Sequence, residues 1–206
     1  MIPLILLGCR ESTVRPPTDT LQHADLGTNF SFKGKPIHPM IVHEFVGLPS
    51  NRGPVCRVID LEAAGGGNRF PQKVKRLRDG TTSCLQDDAD DSLGYVAYQH
   101  LGVLRNGTHV VITSENGGGS GVFEHLLFVR FATEEVHGAD GQSYRWPALC
   151  LVDSYPLGDR GDAKIQVFED RVIVGASKYR KSAEALQEPE IRELRRRNSK
   201  RRMNQE

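Results

Sequence analysis

The sequence lacks most of the features by which a protein class is recognised at first reading. Its 206 residues contain no run of about 18 consecutive apolar residues, the length that a membrane-spanning helix needs. No Gly-x-Ser-x-Gly element appears, so a covalent serine hydrolase has no support. No internal period appears either, which disfavours a repeat array. The composition, with 21 glycines and 11 prolines, is typical of a turn-rich globular chain.

Cysteine is scarce, and the four residues are Cys9, Cys56, Cys84 and Cys150. No two of them have the spacing of a metal site. If Cys9 is modified, the other three form either one disulfide, in any of three pairings, or none. We expect three unpaired thiols, because Cys56 and Cys150 lie in apolar strand-like runs where a thiol packs as a small apolar group.

The charge is unevenly distributed, although the net charge is only +1. Seven basic residues and one glutamate between Arg192 and Arg202 give this segment a charge of +6, so the rest of the chain carries −5. A mildly acidic body with a basic tail argues against nucleic acid as a partner of the folded part.

The N-terminus resembles a bacterial lipoprotein signal. Leu6-Leu7-Gly8-Cys9 is similar to the lipobox, in which the cysteine is lipidated and becomes the first residue. The apolar run has no preceding Lys or Arg and is shorter than the roughly 7 to 15 residues of a typical signal, so a short apolar N-terminus is the alternative. We predict a signal over residues 1–9, a proline-stiffened tether over residues 10–28, and membrane attachment through Cys9 outside the cytoplasm.

The stretch from Leu93 to Phe131 predicts consecutive antiparallel strands. Asn106-Gly107 indicates a two-residue type I′ hairpin turn, which would place Tyr98 opposite Glu115 and His100 opposite Thr113. Because side chains alternate along a strand, one face belongs to the core and carries Ala97, Leu101, Val103, Val110 and Ile112. The other face is expected to be polar and carries Tyr98, His100, His109, Thr113 and Glu115.

Further short strands, separated by turn residues, predict an all-β fold. Residues 29–47 predict two strands broken by Gly34-Lys35-Pro36, with Pro39 at a sheet edge. We predict an antiparallel β-sandwich over residues 29–176, with a jelly roll as one topology. Residues 177–206 predict a charged, basic C-terminal tail, partly helical over 184–197, where Pro189 suits a first helical turn.

Residues 63–92 are the least regular part of this domain, an insertion with a basic run in its middle (Lys73, Lys75, Arg76, Arg78). A loop of this length inside a compact domain is either functional or disordered, so we expect a partner to bind here. Asp88, Asp90 and Asp91 resemble the start of a calcium loop and are candidate metal ligands. The glycine such a loop requires falls one residue late, at Gly94, and a solvated charge run is the alternative.

The polar face of the hairpin carries the candidate site residues. The candidate binding residues are Tyr98, His100, His109, Glu115 and Asn116, the last opening a glycine-rich loop that would let a ligand approach the backbone. The candidate catalytic residues are His100, Glu115 and Glu124, because a histidine beside a carboxylate can act as a general acid and base. A hydrated outer face of the sheet is the alternative.

Three stretches carry a resemblance to a bacterial group: His43-Glu44-Phe45-Val46-Gly47, Asn68-Arg69-Phe70, and Glu115 to Phe123 with its glycine-rich centre. They resemble uncharacterised secreted proteins of planctomycete-type bacteria, over roughly residues 29–174. The resemblance implies an extracytoplasmic bacterial setting and implies nothing about substrate.

These observations favour an exported, lipid-anchored binding module for an envelope or extracellular ligand, with carbohydrate as the expected class. Tyr95, Tyr98 and Trp146 could stack on sugar rings. No cofactor is expected. One alternative is a hydrolase that uses His100, Glu115 and Glu124, and another is a structural or assembly protein of the cell envelope.

Overall fold

The computed structural model describes residues 30–46, 56–65, 70–137, 141–161, 163–176 and 184–187. Its strands are β1 Ser31–Phe32, β2 Lys35–Pro36, β3 Val58–Asp60, β4 Lys75–Arg76, β5 Thr82–Leu85, β6 Tyr95–Val103, β7 His109–Asn116, β8 Phe123–His137, β9 Ser143–Asp159, β10 Ile165–Val167, β11 Arg171–Val174 and β12 Glu184–Gln187. Its helices are α1 Pro39–His43 and α2 Leu61–Gly65, with a 3₁₀ turn at Asp91–Leu93.

The predicted all-β antiparallel fold is confirmed. Seven strands form one sheet in the order β3-β9-β8-β7-β6-β5-β4, so β4 to β9 follow each other as a meander. Within the described residues this sheet contains no Greek-key crossing, and the jelly-roll topology is not confirmed. A second sheet, β10-β11-β12, packs on one face of the large sheet, while helices and the β1-β2 hairpin cover the other. A plain two-sheet sandwich is therefore not confirmed either.

The hairpin between β6 and β7 differs in register from the predicted one. The Leu104 N–H donates to the Thr108 carbonyl, and of the residues between them only Gly107 has a positive φ. This is a type I turn closed by a glycine bulge, which adds one residue to the loop. A second irregularity between His100 and Gly102 then shifts the pairing further, so that Tyr98 lies opposite Thr113 instead of Glu115.

Both faces of the large sheet are buried, which corrects the prediction of one polar face. The predicted core face is confirmed at Val110, which packs with Val172 and Val174 of β11, although Val103 is 37% exposed. On the opposite face, Tyr98 and Val111 pack under an apolar layer from the N-terminal part of the domain, namely Phe30, Ile37, Ile41, Val42 and Phe45. Full burial of each large apolar side chain stabilises the fold by roughly 1.5–3 kcal/mol.

Two short helices lie on that second face, and each is capped by a side chain just before it. His38 accepts a hydrogen bond from the Met40 N–H and precedes Pro39, whose fixed φ suits a first helical position. Asp60 accepts from the N–H groups of Glu62 and Ala63 at the start of α2. The strand predicted through Pro39 is therefore wrong, because the helix begins there.

Two further segments differ in secondary structure from what the sequence indicates. The insertion predicted at residues 63–92 contributes β4 and β5, which extend the large sheet beyond β6. Residues 184–187, predicted to start a helix, instead form β12 and pair with β11; the remainder of that predicted helix lies outside the described residues. No helix in the described part of the chain is long and apolar enough to cross a membrane.

Candidate functional site

A large pocket opens between the β1-β2 hairpin, the two helices and β4. Its volume is about 780 Å³, within the range of small-molecule sites. Most of its lining is apolar, with the side chains of Phe32, Pro36, Ile37, Ile41, Leu61, Ala64, Phe70 and Val74. The other lining residues are Gly65, His38, Glu62 and the basic Lys33, Lys35 and Arg76.

Local sequence explains how these walls form. Lys33 and Gly34 both have positive φ, so they make the two-residue turn that folds Phe32 beside Lys35. His38 stacks on Phe70 with ring centroids 5.5 Å apart. Its Nε2 lies 3.0 Å from the Gln72 carbonyl oxygen, and its Nδ1 accepts from the Met40 N–H, so both ring nitrogens help to position the wall.

The charges at the rim are mostly positive. Lys33 Nζ lies 2.6 Å from Glu62 Oε1, and the two charges offset each other. Lys35 and Arg76 have no carboxylate partner among the described residues, and both are exposed. The rim therefore carries two uncompensated positive charges.

Hydrogen-bonding capacity in the lining is low. Among the described residues that line the pocket, none has a Ser, Thr, Tyr, Asn or Gln side chain. Within the described lining, His38 and Lys33 already make side-chain hydrogen bonds, and Lys35 and Arg76 are exposed donors without a carboxylate partner. A ligand with many hydroxyl groups would lose water there without replacement, at a cost of roughly 1–3 kcal/mol for each group left unpaired.

The residues predicted as a binding surface are in part buried. Tyr98 is 3% exposed, and its hydroxyl donates to the Ile37 carbonyl oxygen at 2.8 Å, so the expectation of an exposed aromatic is wrong. Burial raises its pKa to about 12. Tyr95 and Trp146 are only partly exposed.

His100 and His109 form a pair beneath Phe30. The Nδ1 of His109 lies 3.1 Å from the Nε2 of His100, and the His100 ring stacks on Phe30 at 5.5 Å. Burial lowers the pKa of His109 to about 4, with His100 adding to the effect, and burial also lowers the pKa of His100. Both rings are therefore neutral near pH 7 and act as packed polar groups.

Glu115 pairs with a histidine that the sequence did not assign to it. His43 Nε2, at the end of α1, lies 2.8 Å from Glu115 Oε2, and both side chains are partly exposed. His125 lies close enough for its pKa to respond to both: burial lowers it first, His43 lowers it further, and Glu115 raises it.

Glu124 lies on the opposite face of the sheet from Glu115. It pairs in register with Ser114, whose hydroxyl donates to Oε1 at 3.3 Å. Its Oε2 is buried without a side-chain hydrogen bond in the described residues, and burial raises the pKa of this carboxyl. The residues predicted as one catalytic set therefore have three separate sets of partners: His109 for His100, His43 for Glu115 and Ser114 for Glu124.

The remaining predicted site residues make local contacts. The Asn116 side chain donates to the carbonyls of Gly119 and Gly121 and holds the glycine-rich loop closed on itself. Asp88 accepts from the Lys73 N–H, and Asp90 accepts from Ser92. No three His, Cys, Asp or Glu side chains in the described ranges lie close enough together to hold a metal ion.

Among the described residues, Cys56, Cys84 and Cys150 form no disulfide with one another. Cys84 is buried, and burial raises its pKa to about 11. Cys9, the predicted lipidation site, lies outside the described residues, as do the signal and the tether.

The pocket itself was missed in the sequence, although one signal pointed to it. The insertion at residues 63–92 is the segment in which the sequence predicts a partner site, and Arg76 of this segment lines the pocket. Phe32, Ile41 and Leu61 carried no such signal, because each is an ordinary apolar residue until the fold brings them together.

No protein-family model, no curated protein and no solved structure matches this chain.

Proposed function

We propose that this chain is a binding module that holds a small, largely apolar ligand in the pocket between the β1-β2 hairpin, α1, α2 and β4. The observation that carries the proposal is the pocket itself: about 780 Å³ with eight apolar side chains in its walls. A large apolar pocket with few convergent polar groups is the usual form of a small-molecule site.

The low hydrogen-bonding capacity of the lining favours an apolar ligand over the carbohydrate suggested by the sequence. Sugars are bound by several paired donors and acceptors as well as by aromatic faces, and Phe32 and Phe70 supply only the faces. A hydrolase finds less support, because His100, Glu115 and Glu124 do not converge.

We also propose that the module lies outside the cytoplasm and is attached to a membrane through Cys9, because its N-terminus resembles a lipobox. Mass spectrometry of the mature chain from its host tests this part separately. A chain that begins at a diacylated Cys9 supports it, and a chain intact from Met1 overturns it.

Binding is tested with N-phenyl-1-naphthylamine, a neutral fluorescent probe that brightens in apolar surroundings. Gly65 lines the pocket and has open space around its Cβ position, so Gly65→Trp should fill the pocket without strain. Ala63, exposed on the same helix and outside the lining, gives the control Ala63→Trp. We expect saturable binding that Gly65→Trp weakens by about tenfold or more, equal to about 1.4 kcal/mol, while Ala63→Trp leaves it unchanged. Equal affinities in the two variants would overturn the proposal.

A further inference from the structure

Exposed basic side chains line the pocket, and their charge indicates a ligand class. We infer that the ligand is a single-chain carboxylate, a fatty acid, whose hydrocarbon lies against the apolar walls and whose carboxylate meets Lys35 and Arg76. This inference rests on the proposed function, since it names the ligand of the same pocket.

The first argument is charge complementarity. Lys35 and Arg76 line the pocket from different elements, β2 and β4, and neither has an acidic partner among the described side chains. Lys33 and Glu62 at the same rim already pair with each other. The chain outside residues 192–202 carries −5, so two cations without an acidic partner among the described residues stand out against an acidic body.

The second argument concerns the hydrogen-bond donors and acceptors of the side chains that line the pocket. A neutral polar headgroup needs both donors and acceptors, whereas the charged side chains of the described lining are three cations and Glu62, which already pairs with Lys33. A carboxylate accepts hydrogen bonds and donates none, which matches this inventory. The planar guanidinium of Arg76 can bind both carboxylate oxygens at once, and a charge-assisted bond of this kind is roughly twice as strong as a neutral one.

The third argument concerns the shape of the ligand. The lining residues Ile37, Ile41 and Leu61 are buried, whereas Lys35 and Arg76 are exposed, so the ionic end of the ligand faces outward and its hydrocarbon faces the buried walls. Each methylene removed from water adds to the affinity, so a chain of several methylenes supplies most of it while the carboxylate supplies orientation.

The experiment compares dodecanoate with 1-dodecanol, which has the same chain and no charge, by displacement of N-phenyl-1-naphthylamine below the micellar concentration. The variants are Lys35→Gln, Arg76→Gln and the double variant. Lys75→Gln is the matched control, because Lys75 precedes Arg76 on β4, is exposed and does not line the pocket. We expect the wild type to bind dodecanoate about tenfold more tightly than dodecanol, a ratio that corresponds to about 1.4 kcal/mol.

The double variant should bind the two ligands equally, and Lys75→Gln should retain the wild-type ratio. Equal binding of dodecanoate and dodecanol by the wild type would overturn the carboxylate inference and leave the pocket as an apolar site. A carboxylate preference that survives in the double variant would also overturn it, since another group would then bind the anion. Failure of the probe to bind, or indifference to Gly65→Trp, would instead overturn the proposed function.

Discussion

The Nδ1 of His109 lies 3.1 Å from the Nε2 of His100, in a layer closed by Phe30 and Phe131. Two adjacent buried imidazoles can share a hydrogen bond only when the accepting nitrogen carries no proton. Because charging either ring in this environment is unfavourable, the stability of the folded domain depends on pH through this pair.

We expect the domain to lose stability as the pH falls from about 6.5 towards 4. A histidine with a lowered pKa in the folded state binds its proton less readily than the unfolded chain does, so unfolding takes up a proton in that interval and is favoured there. Above pH 6.5 both states are neutral and nothing is lost. The pKa of about 4 for His109 corresponds to a loss of up to about 3 kcal/mol, accumulated at about 1.4 kcal/mol per pH unit.

Urea unfolding near pH 7 and near pH 4.5 measures this loss. His109→Asn keeps an N–H donor close to the position of Nδ1 but does not titrate, so it should reduce the difference between the two pH values by about 2 kcal/mol. An unchanged difference in His109→Asn would show that other groups cause the acid sensitivity.

A second prediction concerns Gly94, just before the start of β6, and Gly118, just after the end of β7. Each of them packs closely against the backbone of the other's loop. A Cβ on Gly94 would overlap the Asn116 carbonyl oxygen, and a Cβ on Gly118 would overlap the Ser92 carbonyl oxygen. Both have positive φ, at 94° and 80°. Gly94→Ala and Gly118→Ala should each lower the free energy of unfolding by about 3 kcal/mol or more, since backbone strain adds to the overlap.

Gly117 is the control for this pair, because its Cβ position is open and its φ is not positive. Gly117→Ala should change stability by no more than about 0.5 kcal/mol. If thermal unfolding shows all three variants to be alike, the backbones of the two loops are not in contact.

A third prediction concerns thiol reactivity. The pKa of Cys84 is raised to about 11 by burial, whereas Cys56 is partly exposed. The thiolate is the reactive form, so iodoacetamide near pH 8 should label Cys56 in the folded protein and leave Cys84 unlabelled. Peptide mass mapping measures both, and unfolding in urea should expose Cys84 to the reagent. Rapid labelling of Cys84 in the folded state would contradict its burial.

The sequence predicted the all-β class and most strands of the meander, because alternation of apolar and polar residues is a local signal. It missed the register of the central hairpin, since Asn106-Gly107 is read as a two-residue turn although only Gly107 takes a positive φ. One added loop residue and one bulge are enough to move every opposite pair.

The sequence-based prediction failed most where the local structure or the burial of a residue depends on packing against residues distant in the sequence. His38 is not among the usual helix-capping residues, so nothing local announces α1. Burial of Tyr98 depends on Phe30 and Ile37, which lie more than sixty residues away along the chain. The pocket has the same origin, because its walls come from elements that are separate in sequence.

The last prediction tests the link between the sheet and the pocket. Tyr98 donates its hydroxyl to the carbonyl of Ile37, and Ile37 lines the pocket, so this bond fixes one wall to β6. Tyr98→Phe leaves the ring in place but removes a buried hydrogen bond, and should cost about 1–2 kcal/mol in stability. We also expect weaker binding of N-phenyl-1-naphthylamine, by about threefold, because the Ile37 wall is held less firmly.

Tyr95→Phe is the control on the same strand, since Tyr95 is only partly buried and does not line the pocket. Urea unfolding and probe titration measure the two effects. If Tyr98→Phe matches Tyr95→Phe in both, the hydroxyl does not position the wall.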